Sequence, residues 1–134
     1  MKHNPRFEAV TDAAKQGIRE VDATTVASRR AAGGSPVLVD VREDREWDAG
    51  RIPGSVHIGR GVLERDVETR FPDVATELIL VCGGGYRSAL AAESLQRMGY
   101  TNVLSLAGGT RGWRGADLPW DGEQAPPDDG FTSR

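Results

Sequence analysis

Residues 78–95 constrain the fold more than any other stretch of this chain. Leu78, Ile79, Leu80 and Val81 form an unbroken apolar run that ends in Cys82, the only cysteine. Gly83, Gly84 and Gly85 follow, then Tyr86, Arg87 and Ser88, and then the helix-forming series Ala89, Leu90, Ala91, Ala92, Glu93, Ser94 and Leu95. A short run that is apolar at every position is a strand covered on both faces. A strand that passes through a tight glycine turn into a helix is the first half of a parallel crossover. The same alternation recurs along the chain. Strands are expected at 18–21, 37–41, 56–58 and 103–106, with helices at 7–16, 23–32, 42–49 and 62–70, one starting near Ser88, and a short one after Gly108 and Gly109. Asp22 is placed to cap the second helix, and Gly17, Gly33 and Gly99 stop helices. The pattern predicts an α/β domain built on a small, mainly parallel five-stranded sheet with helices on both faces.

In such sheets ligands bind beyond the carboxyl ends of the strands. Cys82 stands at the end of the most apolar strand, and Asp40 at the end of another. A lone cysteine in that position is ordinarily a small buried hydrophobe. Three glycines before Arg87 and Ser88 change the reading, because they cost conformational entropy and serve no packing purpose. They let the backbone N–H groups of residues 83–88 converge on one point, next to the unpaired N–H groups and positive dipole of a helix start. A sulfur at Cys82 would sit in that anion-holding cradle, with the guanidinium of Arg87 beside it. Four residues separate Cys82 from Arg87. A cysteine-dependent phosphatase loop has five, and a histidine before the cysteine where this chain has Val81. The smaller loop suits one extra sulfur on Cys82, a persulfide, better than a phosphate.

Composition removes several other classes. Seventeen basic and twenty acidic residues give a net charge of −3 over 134 residues, so bulk charge offers no nucleic-acid or membrane surface. One cysteine cannot form an internal disulfide, and His3 and His57 lie too far apart in sequence to suggest a zinc site. No metal or separate cofactor is expected. The amino-terminal residues 1–6 lack an apolar signal core and no run reaches membrane-span length, so a cytoplasmic protein is the default expectation.

Three stretches, in order, resemble the rhodanese (thiosulfate sulfurtransferase) family. Val39, Asp40, Val41 and Arg42, with Glu46, Trp47, Gly50, Ile52, Pro53, Gly54, Ser55 and Ile58, are similar to its strand-and-turn signature. Residues 82–88 are similar to its catalytic loop. Gly108 and Gly109 followed by Trp113 are similar to its closing motif. Arg51 departs from the pattern, since many members carry histidine before the Ile-Pro-Gly. The resemblance implies a single-domain member. Residues 1–17 would be an N-terminal helical extension, 18–120 the rhodanese domain, and 121–134 a flexible acidic tail, with the loose segment starting near Pro119.

The implied chemistry is sulfur transfer. Cys82 would take the outer sulfur of thiosulfate or another persulfide donor, then pass it to a thiophilic acceptor such as cyanide or a thiol. A carrier that hands sulfur to a partner protein uses the same loop, and a non-enzymatic module on this fold would be expected to lack the cysteine. Gly83, Gly84, Gly85, Tyr86, Arg87 and Ser88 would hold the sulfur. Arg87 either faces the substrate anion or braces the loop. The brace is the favoured reading, with Glu46 or Asp40 as partner, because the resemblance puts that acid-bearing segment beside the loop. Tyr86 either shapes the entrance or packs on a neighbouring element. Arg60 lines the pocket mouth or is a surface arginine. Asp40 and Arg42 read as a structural pair, His57 as packed or superficial, and Ser88 as a helix cap with its hydroxyl near the sulfur. Trp47 and Trp113 read as core.

Overall fold

The computed structural model describes residues 3–123. Five strands form one parallel sheet: β1 (Arg19–Val21), β2 (Val37–Asp40), β4 (Val56–His57), β5 (Leu78–Val81) and β6 (Val103–Leu106). Their order across the sheet is β1-β6-β5-β2-β4. β5 is central, with Leu80 opposite both Val39 and Ser105. Six α-helices occur among the described residues: α1 (Pro5–Gln16), α2 (Ala23–Ala31), α3 (Asp44–Ala49), α4 (Leu63–Arg70), α5 (Arg87–Arg97) and α6 (Gly109–Gly115). No helix among them is long and apolar enough to cross a membrane.

The pleat sorts the apolar residues into two cores. Leu78 and Leu80 face one side with Val39, Val41 and Val103, against Leu63 and Val67 of α4 and Ala91, Ala92 and Leu95 of α5. Ile79 and Val81 face the other with Leu38, Leu104 and Leu106, against Ala23 and Val26 of α2 and Trp113 of α6. Every residue of β5 and β6 is buried, as a strand covered on both faces requires.

Local chemistry sets the element ends. Asp22 accepts from the Thr25 N–H at 2.8 Å and caps α2. Pro5 opens α1 at a position where a missing N–H costs nothing, so that helix starts two residues before the expected 7. In α3 the Glu43 N–H donates to the Glu46 carboxylate at 2.9 Å, a reciprocal cap that delays the helix to Asp44.

Two expectations from sequence are corrected. The loose segment expected from Pro119 is instead docked as far as Glu123. Trp113 Nε1 donates to the Pro119 carbonyl at 2.7 Å, and β7 (Asp121–Gly122) pairs antiparallel with β3 (Gly50–Arg51). Backbone pairing offsets the cost of ordering a polar segment, which composition alone does not reveal. The remainder of the expected acidic tail, 124–134, lies outside the described residues. Trp47, expected in the core, is half-buried instead. It stacks on His57 (ring centroids 4.9 Å apart, planes within 9°) and carries the Arg51 guanidinium at 4.8 Å. Trp113 is fully buried.

Candidate active site

Cys82 follows β5 directly and is buried, with 1% of its surface exposed. The Gly85 N–H donates to Cys82 Sγ at 3.1 Å. Gly85 can do so because its φ is +94°, a backbone state L-residues rarely adopt, and a Cβ there would lie 3.1 Å from Gly108 N. The thiol donates to Ser88 Oγ at 3.4 Å, and Ser88 Oγ shares a 2.7 Å hydrogen bond with Ser105 Oγ. Both serines are fully buried. When the sulfur is an anion the chain can reverse, with Ser105 donating to Ser88 and Ser88 to the sulfur. The cap of α5 is Tyr86, without a side-chain bond, so Ser88 is not the expected helix cap. Its hydroxyl serves the sulfur instead.

The loop's carbonyls are bonded on the opposite side. Thr110 N donates to the Cys82 carbonyl at 2.8 Å and Arg111 N to the Gly83 carbonyl at 3.0 Å. This close approach requires Gly109, where φ is +57° and a Cβ would fall 2.3 Å from the Cys82 carbonyl oxygen. With the carbonyls of Cys82 and Gly83 committed to α6, the loop aims the Gly85 N–H at the sulfur. That is the arrangement an anion needs.

Arg87 turns from the loop to Glu46. Its Nη1 and Nη2 donate to the two carboxylate oxygens at 2.7 and 3.0 Å. Burial alone pushes the Glu46 carboxyl up. The Arg87 hydrogen bonds, the Glu43 N–H and the charges of Arg87 and Arg42 outweigh it and hold the carboxyl below its ordinary range. Burial likewise pulls Arg87 down, but Glu46 and the charge of a Cys82 thiolate more than restore it, so Arg87 is held above its ordinary value. Its Nη2 occupies the space beside Gly83, 3.1 Å from where a Cβ would project.

Asp40 and Arg42 form a buried pair behind this brace. Arg42 Nε donates to Asp40 at 3.0 and 3.1 Å and Nη2 at 2.9 Å, and Nη2 also donates to the Gly50 carbonyl at 2.7 Å. Neither contacts the sulfur. Tyr86 packs on the N-terminal segment: His3 lies edge-on at 4.4 Å, Phe7 at 5.9 Å, and Lys15 Nζ is 4.3 Å above its ring. Residues 3–16 are therefore joined to the loop's one large side chain. His57 Nε2 lies 2.9 Å from the Arg42 carbonyl.

Arg60 is not brought to the sulfur. It donates to Glu64 at 2.9 and 2.7 Å and to Ser94 Oγ at 3.1 Å, about two helical turns along α5 from the loop. The cleft it lines holds Arg42, Glu43, Asp44, Arg45 and residues 59–62, none from the loop. An i,i+4 carboxylate on the following helix captured the side chain that the sequence offered to the pocket mouth. Sequence reasoning also missed Ser105, and it placed Gly109 in the closing motif without its contact to the loop carbonyls. Ser105 left a signal, as the one polar residue in an otherwise apolar strand, where a buried hydroxyl demands a partner. Among the described residues no group of three or more His, Cys, Asp or Glu could hold a metal ion.

Comparison with known proteins supplies the context. The profile of the rhodanese-like domain matches residues 22–116. YtwF of Bacillus subtilis, provisionally named a sulfurtransferase, is 32% identical over 102 residues, covering 76% of this chain and 96% of that protein. The thiosulfate sulfurtransferase GlpE of Pseudomonas syringae is 36% identical over 78 residues, 58% of this chain and 72% of GlpE. YrkF of B. subtilis, provisionally named a sulfur carrier protein, is 33% identical over 78 residues, and this chain spans only 41% of its length. Among solved structures, RPA3614 of Rhodopseudomonas palustris superposes with a TM-score of 0.78 at 32% identity, over 90% of this chain and 99% of its own. It is described as a possible tyrosine phosphatase.

Proposed function

We propose that this chain, which belongs to the rhodanese-like domain family, is a sulfurtransferase that carries sulfur as a persulfide on Cys82, with thiosulfate as a donor. The observation that carries the reading is the Gly85 N–H aimed at Sγ at 3.1 Å from a loop whose carbonyls at 82 and 83 are bonded away to α6. The Cys82 thiolate attacks the outer sulfur of thiosulfate. A bond forms between the two sulfurs, the thiosulfate S–S bond breaks, and its electron pair leaves with sulfite. The persulfide anion then rests against loop N–H donors and the Ser88 hydroxyl, as an oxyanion rests in its hole. Cyanide or a thiolate next attacks the outer sulfur, and the electron pair of the broken bond returns to Cys82. Delivery to an acceptor protein would use the same intermediate. The spacing between Cys82 and Arg87 favours this chemistry over phosphate ester hydrolysis, because the loop is one residue short of a phosphatase cradle.

Intact mass after incubation with thiosulfate tests the reading. A gain of about 32 mass units that cyanide removes, and that Cys82→Ala lacks, is expected for a covalent sulfur intermediate. Loading from a persulfide donor but not from thiosulfate would replace the proposed donor. Loading from neither would refute the Cys82 persulfide.

A further inference from the structure

The sulfur has a narrow approach. Cys82 is 1% exposed, and Gly85 and Ser88 are buried. The parts of the loop that reach its surface are Gly83, Gly84, Tyr86 and Arg87, each half-buried. An acceptor that arrives at Sγ passes one of these four. Arg87 is held by both oxygens of Glu46, with Nη2 3.1 Å from where a Cβ on Gly83 would project. A Cβ on Gly84 would lie 3.4 and 3.5 Å from the edge of the Tyr86 ring and 3.6 Å from Arg111 Nη1. The two glycines carry no side chains, so the position of the Tyr86 ring sets the width of the approach.

That ring is positioned from outside the loop. α1 packs on α5, with Thr11 and Ala14 buried. Phe7, Thr11, Ala14 and Lys15 follow the i, i+4, i+7, i+8 spacing of one helix face. The face that docks the helix therefore also carries Phe7 and Lys15 to Tyr86. The Tyr86 ring meets Phe7 at 5.9 Å between centroids and His3 edge-on at 4.4 Å, and Lys15 Nζ stands 4.3 Å over it. His3 and Phe7 meet edge-on at 5.1 Å, and the His3 N–H donates to the Glu8 carboxylate at 3.4 Å, which ties residue 3 to the helix. Rings at its edge and a cation over its face leave Tyr86 few orientations. All of these partners precede residues 22–116, the part of the chain that matches the family.

We propose that α1 sets acceptor selectivity. Phe7, Lys15 and His3 hold the Tyr86 ring as a fixed wall beside the loop. Slender acceptors, cyanide or an unbranched thiol, reach the persulfide, and bulky ones are held off. The inference rests on the persulfide reading of Cys82. The transfer itself is unchanged: the acceptor thiolate forms a bond to the outer sulfur, the bond from that sulfur to Cys82 breaks, and its electron pair returns to Cys82. Phe7 and Lys15 are positioning residues that act through Tyr86. The wall sorts acceptors by girth, not by charge.

The test uses the full chain, loaded with sulfur from thiosulfate or a persulfide donor and freed of excess donor. Discharge is followed by intact mass with N-acetylcysteamine and with N-naphthoylcysteamine, neutral thiols that differ only beyond the amide. Their rate ratio is divided by the ratio measured on a free low-molecular-weight persulfide. The wild type is expected to favour the acetyl thiol about tenfold or more, as a pocket wall provides. Phe7→Ala and Tyr86→Ala are expected to bring the ratio toward one, and Tyr86→Phe, which keeps the ring, to retain it. Lys15→Met keeps the apolar stem and the helix while removing the cation, and is expected to lower the ratio about two- to threefold, with Lys15→Arg restoring it. Alkylation of unloaded Cys82 by iodoacetamide and by its N-naphthyl derivative repeats the comparison without a persulfide. Loading followed by no preference in the wild type, or a ratio unchanged in Phe7→Ala and Lys15→Met, overturns the wall while leaving the persulfide intact. Failure to load from any donor overturns the persulfide and with it the acceptor reading, and the alkylation ratios then decide separately whether α1 controls access to the thiol.

Discussion

Replacing Glu46 with glutamine separates the charge of the loop brace from its shape. Glutamine keeps one oxygen to accept from the Glu43 N–H and Arg87 Nη1, but it removes the acceptor for Nη2 and the negative charge that faces the guanidinium. The side chains of Arg87 and Glu46 are 31% and 17% exposed, between the fully buried and fully solvated limits. Breaking a buried pair costs about 3–5 kcal/mol and an exposed one about 0–1, so Glu46→Gln should cost about 2 kcal/mol at pH 7. Glu46→Ala, which also removes the helix cap, should cost about 1 kcal/mol more. Urea unfolding with a shared slope measures both. The pH dependence has a definite sign. The folded carboxyl titrates below its ordinary value, near 4.5 in the unfolded chain. Its stabilisation is therefore present above that value and is lost as pH falls through the lower folded one. The wild-type and glutamine curves should converge in acid. A loosened Arg87 no longer fills the space beside Gly83, so single-turnover persulfide formation should slow about tenfold. Glu46→Gln with wild-type stability, wild-type acid slope and wild-type rate would refute the brace.

Two further outcomes follow from the close contacts around the sulfur. Gly109→Ala, which forces a Cβ to within 2.3 Å of the Cys82 carbonyl, should cost more than about 3 kcal/mol by urea unfolding. Gly112→Ala in the same helix, whose Cβ would meet nothing nearer than 3.9 Å, should be neutral or gain up to about 1 kcal/mol. Ser88→Ala should slow persulfide formation about tenfold in single-turnover mass measurements, as loss of a donor to a charged group does, while Ser105→Ala, one bond further out, should cost less.

The sheet was legible because a buried parallel strand must be apolar at every position, and 78–81 meets that demand. The sulfur loop was legible because glycines, an arginine and a serine in that order have little packing use. Asp40 and Arg42 read as a structural pair from the residues, whereas the Arg87 brace, with Glu46 or Asp40 as partner, came from the family resemblance, and the structure selects Glu46. Other features leave weaker traces. Gly109 was legible as part of the closing motif, but its close approach to the Cys82 carbonyl shows only once α6 is laid on the loop. Arg111 is one of many arginines until its guanidinium is found above Gly84. Trp120 and the pairing of Asp121 and Gly122 with Gly50 and Arg51 depend on a fit between segments about seventy positions apart. Such fits are made by space left empty, and empty space has no residue type. Arg60 misled for the opposite reason, since its exposure in sequence concealed the neighbouring carboxylate that claims it.

The strand order also has a consequence during synthesis. Arg19 of β1 pairs with Leu104 of β6, about 85 positions later. At roughly 5–20 residues per second, β1 waits several seconds for its neighbour. β2 meets β4 and β5 well before that. The bonds from Thr110 and Arg111 to the Cys82 and Gly83 carbonyls come later still, with α6. The nascent chain therefore exposes Cys82 before the cradle around it is complete, because the helix that takes up the loop's carbonyls is made after the sulfur it shelters.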